Sequence, residues 1–182
     1  GRRMSKSLGT GINPLELMEK YGTDALRFGL ASQATGLQDL KFGEDLTIMG
    51  RKFTNKIWNI ARYILMRLED DHNWRVPESS KELDEIAVKF EGLFGCITKN
   101  IESYNFAEAA SVIYKFLWHE VADEYLEESK NRDDQKTKNT LVYILVNMLK
   151  LLHPFMPFVT EEIYGKLPIK DKELLIIENW PV

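Results

Sequence analysis

The first residues of the chain carry groups that bind phosphate in proteins. In the segment 1–9, Ser5, Lys6 and Ser7 follow Arg3 on a short basic loop that contains glycine. Hydroxyl and ammonium donors on such a loop can hold phosphate oxygens, and a lysine can stabilise the charge of a transferring phosphate. A solvated basic terminus is the alternative that the residue types alone leave open.

A second candidate surface follows the loop by some forty residues. Lys52 and Lys56 are one helical turn apart, and further polar side chains lie on a neighbouring stripe. Cations at this spacing can follow a phosphate backbone, amides can bind base edges, and tyrosine can stack on an unpaired base. The residues predicted to bind RNA are Arg51, Lys52, Asn55, Lys56, Asn59, Arg62 and Tyr63. A solvated charged face is the alternative, and the two asparagines and Trp58 are also suited to structural roles.

No metal site is predicted. His119 is followed by Glu120, but no His/Cys cluster at ligand spacing accompanies the pair, so a structural role is expected. His153 precedes Pro154 and is predicted to end a helix. The single cysteine, Cys96, has apolar neighbours and is predicted to be a buried thiol.

Composition points to a globular chain with an uneven charge distribution. The 182 residues are 44% hydrophobic and the net charge is −4. Residues 1–67 carry a balance of +5, whereas residues 68–182 carry −9. The surface that meets a polyanion is therefore expected in the first third of the chain. No apolar run approaches the roughly 20 residues of a membrane-spanning helix.

Hydrophobic periodicity predicts helix nearly throughout. Asn13 and Pro14 mark a helix start, Gly22 marks its end, and Thr23 is suited to cap the next helix. Asn105 is suited to cap a later helix. The longer predicted helices span about 44–68, 81–103, 106–130 and 137–152, with a short one at 160–164 and a brief strand or extended tail at 174–177. The fold class is all-α: an antiparallel helical bundle over 44–182, preceded by a short helical connecting region over 1–43.

Several motifs resemble one family of enzymes. Arg3-Met4-Ser5-Lys6-Ser7 resembles the KMSKS signature of class I aminoacyl-tRNA synthetases, with arginine in place of the first lysine. Asn13-Pro14 and Lys20–Arg27 resemble the segment that follows this loop in the class as a whole. Four later segments are similar to the valine-specific members: Gln38–Phe42, Arg51–Asn59, Trp118-His119-Glu120 and Leu152–Phe158. Asn179-Trp180-Pro181 resembles the end of the family's helical bundle, so the resemblance extends over essentially the whole chain.

The resemblance implies a role for each region. The bundle would be an anticodon-binding domain, and the helix around residues 51–67 would face the anticodon of valine tRNA. Lys6 would stabilise charge on ATP during amino-acid activation, with Arg3 at the first-lysine position and Ser5 and Ser7 beside the nucleotide. The implied parent protein is a valine–tRNA ligase that uses ATP with Mg, is cytoplasmic and monomeric, and does not enter a membrane.

The chain itself is expected to be inactive and to need no cofactor. It has no HIGH-like motif, no nucleotide-binding βαβ pattern and no editing domain. Two alternatives remain open: the same region of an isoleucine enzyme, or a stand-alone helical interaction module whose KMSKS-like segment is accidental.

Overall fold

All regular structure in the described residues is helical. A computed structural model describes residues 4–5, 7–35, 42–68, 74–77, 82–169 and 172–181. No strand occurs among them, and the all-α prediction is confirmed. In chain order the elements are α1 (Pro14–Tyr21), α2 (Thr23–Ala31), α3 (Glu44–Arg67), α4 (Glu85–Glu102), α5 (Phe106–Lys115), a π-helical segment (Phe116–Tyr125), α6 (Leu126–Ser129), α7 (Gln135–Leu152), α8 (Pro157–Gly165) and a 3-10 turn (Leu175–Ile177).

The first two helices are separated by a single glycine. Asn13 caps α1, because its Oδ1 accepts a hydrogen bond from the Leu15 N–H at 3.1 Å. Gly22 ends α1 with a φ of 97°, a conformation that glycine adopts without strain. The predicted cap at Thr23 is wrong: Thr23 is already the first helical residue, and Gly22 occupies the cap position without a side-chain hydrogen bond.

Helices α2 and α3 touch through their backbones. A Cβ added at Gly29 would lie 2.6 Å from the Leu46 carbonyl oxygen, and one at Gly50 would lie 2.1 Å from the Ala25 carbonyl oxygen. Both distances are far inside van der Waals contact. Glycine at these two positions therefore sets how closely the amino-terminal helices sit on the long helix α3.

A carboxylate on α2 caps α8 from a distance in sequence. Asp24 is buried, and its two oxygens accept hydrogen bonds from the Phe158 N–H at 3.3 Å and the Val159 N–H at 2.6 Å. These N–H groups belong to the first turn of α8, which has no side-chain cap of its own. Burial raises the pKa of Asp24, although the two backbone donors oppose that shift. One turn further along α2, Arg27 donates to the carbonyls of Pro154 and Phe155.

The hydrophobic core lies between α3, α4, the π-helical segment and α7. Helix α3 buries a stripe at spacings of three and four, and α7 is buried over most of its length. The rings of Phe90 and Phe116 stack with centroids 4.6 Å apart and join α4 to the π-helical segment. This core holds α3 with its apolar face inward and its polar face outward.

The predicted helix 106–130 is interrupted. Its middle third is π-helical, and the buried residues there include Leu117, Val121 and Tyr125. The chain nevertheless stays helical from Phe106 to Ser129, with the π-helical segment between α5 and α6.

Asn105 occupies the N-cap position of α5, as predicted, although its side chain donates to Asn100 Oδ1 at 3.2 Å instead of making a cap hydrogen bond. Two smaller expectations are wrong. Cys96 is exposed, because the core stripe of α4 passes through Phe94 and Ile97 and leaves Cys96 on the outer side of the helix. Residues 174–177 form a 3-10 turn rather than a strand.

Parts of the connections from α2 to α3 and from α3 to α4 lie outside the described residues. In the part that is described, no helix is both long and apolar enough to cross a membrane.

The α2–α3 contact predicts a large effect of one methyl group. Gly50→Ala is expected to lower the free energy of unfolding by about 1–3 kcal/mol, because the new Cβ meets backbone that cannot rotate away. Gly92→Ala is the matched control, since a Cβ on that exposed α4 residue meets nothing within 4 Å and should add up to about 1 kcal/mol of helix stability. Urea denaturation measures both. Equal stability of the two variants would contradict the close approach of α2 and α3.

Candidate nucleic-acid interface

Helix α3 presents a cationic face that lacks compensating acids. From Leu46 to Leu68 the sequence contains no aspartate or glutamate. The same stretch contains five cations: Arg51, Lys52, Lys56, Arg62 and Arg67. The first turn does carry Glu44 and Asp45, where they favour the helix N-terminus. The positive charge of α3 is therefore concentrated after its second turn.

Four of the predicted RNA-binding residues are free in the structure. Lys52, Asn55, Asn59 and Arg62 are all exposed on α3. None of their side chains makes a hydrogen bond or ion pair with another described residue. Their helical positions place them on one face, opposite the buried stripe of Phe53, Ile57, Ile60 and Ile64. Their two cations and two amides are available to a ligand. We call these four residues the donor face.

Lys56 lies at the edge of the donor face and is held within the molecule. Its Nζ is 2.8 Å from Asp123 Oδ1 and 5.0 Å from the centre of the Trp118 ring. The hydrogen bond from Lys56 is the main cause that lowers the pKa of Asp123, and His119 Nδ1 lies 3.5 Å from the other oxygen of that carboxylate. Lys56 therefore joins α3 to the π-helical segment.

Tyr63 also points toward a neighbouring element. Its hydroxyl lies 3.0 Å from Ser129 Oγ, and that serine donates to the Leu126 carbonyl at 2.8 Å. Because the single hydroxyl proton of Ser129 is used in this way, Tyr63 is the donor in the first bond. Arg67 adds hydrogen bonds to the carbonyls of Ser129 and Arg132. The end of α3 is thereby fixed to α6 and the loop that follows it.

A shallow groove runs between these two anchors. It has a volume of about 180 Å³, its apolar floor includes Ile60, and its rim includes Asn59 and the Glu127–Lys130 ion pair at 2.6 Å. A larger cleft of about 850 Å³ lies between α4 and the π-helical segment, and its lining has five carboxylates and three cations. The larger cleft is thus less suited to phosphate than α3 is.

Arg51 makes a third intramolecular contact. Its guanidinium donates to the Tyr21 carbonyl at 3.2 Å and approaches the Lys20 carbonyl at 3.4 Å, both at the C-terminus of α1. Lys20 and the Tyr21 hydroxyl in turn bind Glu44 at 2.7 and 2.6 Å. These contacts attach α1 to the first turns of α3.

The amino-terminal loop is only partly described. Two residues of the predicted ATP-binding loop, Arg3 and Lys6, lie outside the described residues. The hydroxyls of Ser5 and Ser7 are 2.9 Å apart, and the Ser5 N–H donates to Thr10 Oγ1 at 2.9 Å. The loop therefore folds back on itself ahead of α1.

Sequence reasoning missed one residue beside the donor face. From the sequence, Trp58 was considered only for a structural role, yet 40% of its surface is exposed. Its position on α3, three residues after Asn55, is the signal that was available. Among the described residues, no cluster of three or more His, Cys, Asp or Glu side chains could hold a metal ion.

Two family profiles match the chain. The profile described as the anticodon-binding domain of tRNA ligase matches residues 84–182. The profile described as tRNA synthetases class I (I, L, M and V) matches residues 1–43. Together they cover the two ends of the chain, and the whole of α3 lies between them.

Curated relatives match the whole chain. The chain is 41% identical to the valine–tRNA ligase of Petrotoga mobilis, 43% identical to that of Fervidobacterium nodosum and 39% identical to that of Bacillus cereus. All of this chain is aligned in each case, but only 22% of each relative. The chain thus spans about a fifth of the length of these relatives.

A solved structure shares the fold. It is a chain of the ternary complex of Agrobacterium radiobacter K84 LeuRS with tRNA and LeuAMS, with a TM-score of 0.78 and 24% sequence identity. It covers all of this chain, which corresponds to 22% of that chain. At this identity the likeness shows the helical fold alone.

The Lys56–Asp123 contact predicts a change in titration. In Lys56→Met the pKa of the Asp123 carboxyl should rise toward its ordinary value, because the hydrogen bond that lowers it is lost. In the wild type, this carboxylate adds stability above its unfolded pKa, which is lost as pH falls through the lower folded pKa. NMR titration of the Asp123 side chain measures the shift. Lys52→Met, on the same helix but without this contact, should leave that pKa unchanged; a shift of equal size there would contradict the assignment.

Proposed function

Because this chain belongs to the class I tRNA ligase family, through the anticodon-binding domain of that family, we propose that it is the tRNA-binding part of a valine–tRNA ligase. The parent enzyme would join valine to its tRNA at the expense of ATP. The whole-length similarity to valine–tRNA ligases supports this specificity. The likeness in fold to LeuRS, which was solved with tRNA, is consistent with the same type of ligand.

The donor face on α3 is the observation that carries the proposal. Lys52 and Arg62 would bind phosphate oxygens, and Asn55 and Asn59 would bind base edges of the anticodon arm. An exposed helical face with free donors and no carboxylate is complementary to RNA and unsuited to a basic partner protein. Because the donors are already exposed, binding would not have to break ion pairs with any residue that the structure describes.

Three of the predicted RNA-binding residues would act indirectly, by holding α3 in place: Arg51, Lys56 and Tyr63. Each has an intramolecular partner: the end of α1, Asp123 or Ser129. These contacts hold α3 in register with α1, the π-helical segment and α6. We propose that they orient the donor face and that direct contact with RNA falls mainly to the four free residues.

The amino-terminal loop would serve the parent enzyme's catalytic step. Lys6 would stabilise charge on ATP, bound with Mg, while valine is activated, and Arg3, Ser5 and Ser7 would assist it. The hydroxyls of Ser5 and Ser7 bind each other in this structure and would exchange that bond for phosphate oxygens. The parent enzyme would be a cytoplasmic monomer.

Two other functions are distinguishable from this one. The same region of an isoleucine enzyme would prefer isoleucine tRNA, and an independent helical interaction module would bind neither tRNA. The similarity of the chain to valine–tRNA ligases along its full length favours the first proposal over both.

Charge reversal on the donor face tests tRNA binding. Lys52→Glu and Arg62→Glu should each weaken binding of valine tRNA, and each should lower the salt-dependence slope by about one unit, because one phosphate contact is lost. Gel-shift titrations with valine and isoleucine tRNA at two salt concentrations measure affinity, slope and preference together.

The matched control is Lys99→Glu, which makes the same charge change at an exposed position on α4. It should retain wild-type affinity and slope. Equal weakening by all three variants would indicate an effect of net charge alone. Preference for isoleucine tRNA would indicate that the chain is part of an isoleucine enzyme.

Substitutions in the loop and on the donor face should affect different activities of the full-length enzyme. Lys6→Ala should reduce valine-dependent pyrophosphate exchange by about 10²–10³-fold, because a charge-stabilising donor is lost from the transition state. Its tRNA affinity should be retained. Lys52→Glu should give the reverse pattern. Similar losses of exchange and tRNA affinity in the Lys6 variant would contradict the role assigned to that lysine.

A further inference from the structure

Trp58 differs from the other three tryptophans in how it is packed. Trp74 is buried, and its indole N–H donates to the Leu68 carbonyl at 3.3 Å. The Trp180 N–H donates to Thr98 Oγ1 at 2.8 Å. Trp118 stacks on Tyr114 with ring centroids 5.2 Å apart and lies beneath Lys56. Each of these three indoles therefore has a partner that explains its position in the fold.

Trp58 has no such partner. It is 40% exposed, it is not among the partly buried residues that pack on the core, and its ring contacts no other described aromatic ring. Its indole N–H makes no hydrogen bond to a described residue. Buried tryptophans usually have a partner for the indole N–H, whereas Trp58 leaves its N–H and much of its apolar ring open to solvent and to a ligand.

The surroundings of Trp58 define what would complete it. Asn55 precedes it by three residues and Arg62 follows it by four, so all three share one side of α3. These neighbours are free donors, and the helix has no carboxylate after its first turn. A ligand that covers the indole must therefore be apolar on one face, able to accept hydrogen bonds at its edge and negatively charged nearby. An unpaired nucleotide has all three properties, because its base offers a π face and its phosphate offers the charge.

We propose that Trp58 is a stacking platform for an unpaired base of the RNA that binds the donor face. The inference rests on the proposed function and sharpens it, since a base within a duplex has no free face to stack on the indole. It also reassigns the aromatic contact. Tyr63, the aromatic residue that the sequence suggested for stacking, is half-buried with its hydroxyl bound to Ser129, whereas Trp58 is open.

The test compares two RNAs and two substitutions in this chain. The RNAs are a hairpin with the stem and unpaired loop of the valine tRNA anticodon arm, and a blunt duplex of the same stem. Trp58→Ala should weaken hairpin binding by about five- to hundred-fold, as base–aromatic stacking would require, while duplex binding stays within about two-fold. Trp58→Phe, which keeps an aromatic face, should stay within about three-fold of wild type for both RNAs. Circular dichroism melting of each variant shows whether the bundle remains folded.

Four outcomes overturn the inference. If Trp58→Ala binds the hairpin as wild type does, the indole does not stack on RNA, although the proposed function stands. If hairpin and duplex binding fall equally, Trp58 contacts no unpaired base. If Trp58→Ala leaves hairpin binding unchanged but lowers the melting temperature of the full-length enzyme, the indole is covered by another part of that polypeptide. If wild type binds neither hairpin nor tRNA, the proposed function fails and the inference with it.

Discussion

The close approach of α2 to α3 is the constraint on which the arrangement of the other parts depends. It requires glycine at positions 29 and 50, because a Cβ at either position would collide with backbone of the other helix. Once α2 is seated, its Asp24 reaches the first turn of α8, and its Arg27 reaches the turn before that helix. The same contact keeps α1 within reach of Arg51. The two profile-matched regions, 1–43 and 84–182, are thus in direct contact through α2 and α8.

The donor face follows from how α3 divides its two sides. Four large apolar residues fill the inner side, and this burial fixes the rotation of the helix about its axis. Lys56, Tyr63 and Arg67 then anchor one flank to the π-helical segment and α6. What remains outward is a set of donors without partners among the described residues. The protein therefore separates cations that stabilise the fold from cations that are available to a ligand, on one helix.

Much of this architecture was predictable from the sequence. The period of the apolar residues located α3, α4 and α7 to within a few residues, and Asn13 and Gly22 marked the limits of α1 correctly. Partners across the fold were not predictable in the same way. Periodicity predicts that Lys56 and Tyr63 lie near an edge of the apolar stripe. It does not predict that their partners are Asp123 and Ser129. Cys96 shows the same limit, because apolar neighbours in sequence do not share its side of a helix.

The cap that Asp24 places on α8 has a consequence for how the chain is made. The carboxylate and the N–H groups that it satisfies are separated by more than 130 positions. The helices α1 and α2 leave the ribosome long before α8 is synthesised. During that time Asp24 has no N–H donors from α8 to bind. Contacts of such long range also slow the final closure of a helical protein relative to its local helix formation. The contact between α2 and α8 can therefore form only after α8 has been synthesised, more than 130 positions after Asp24.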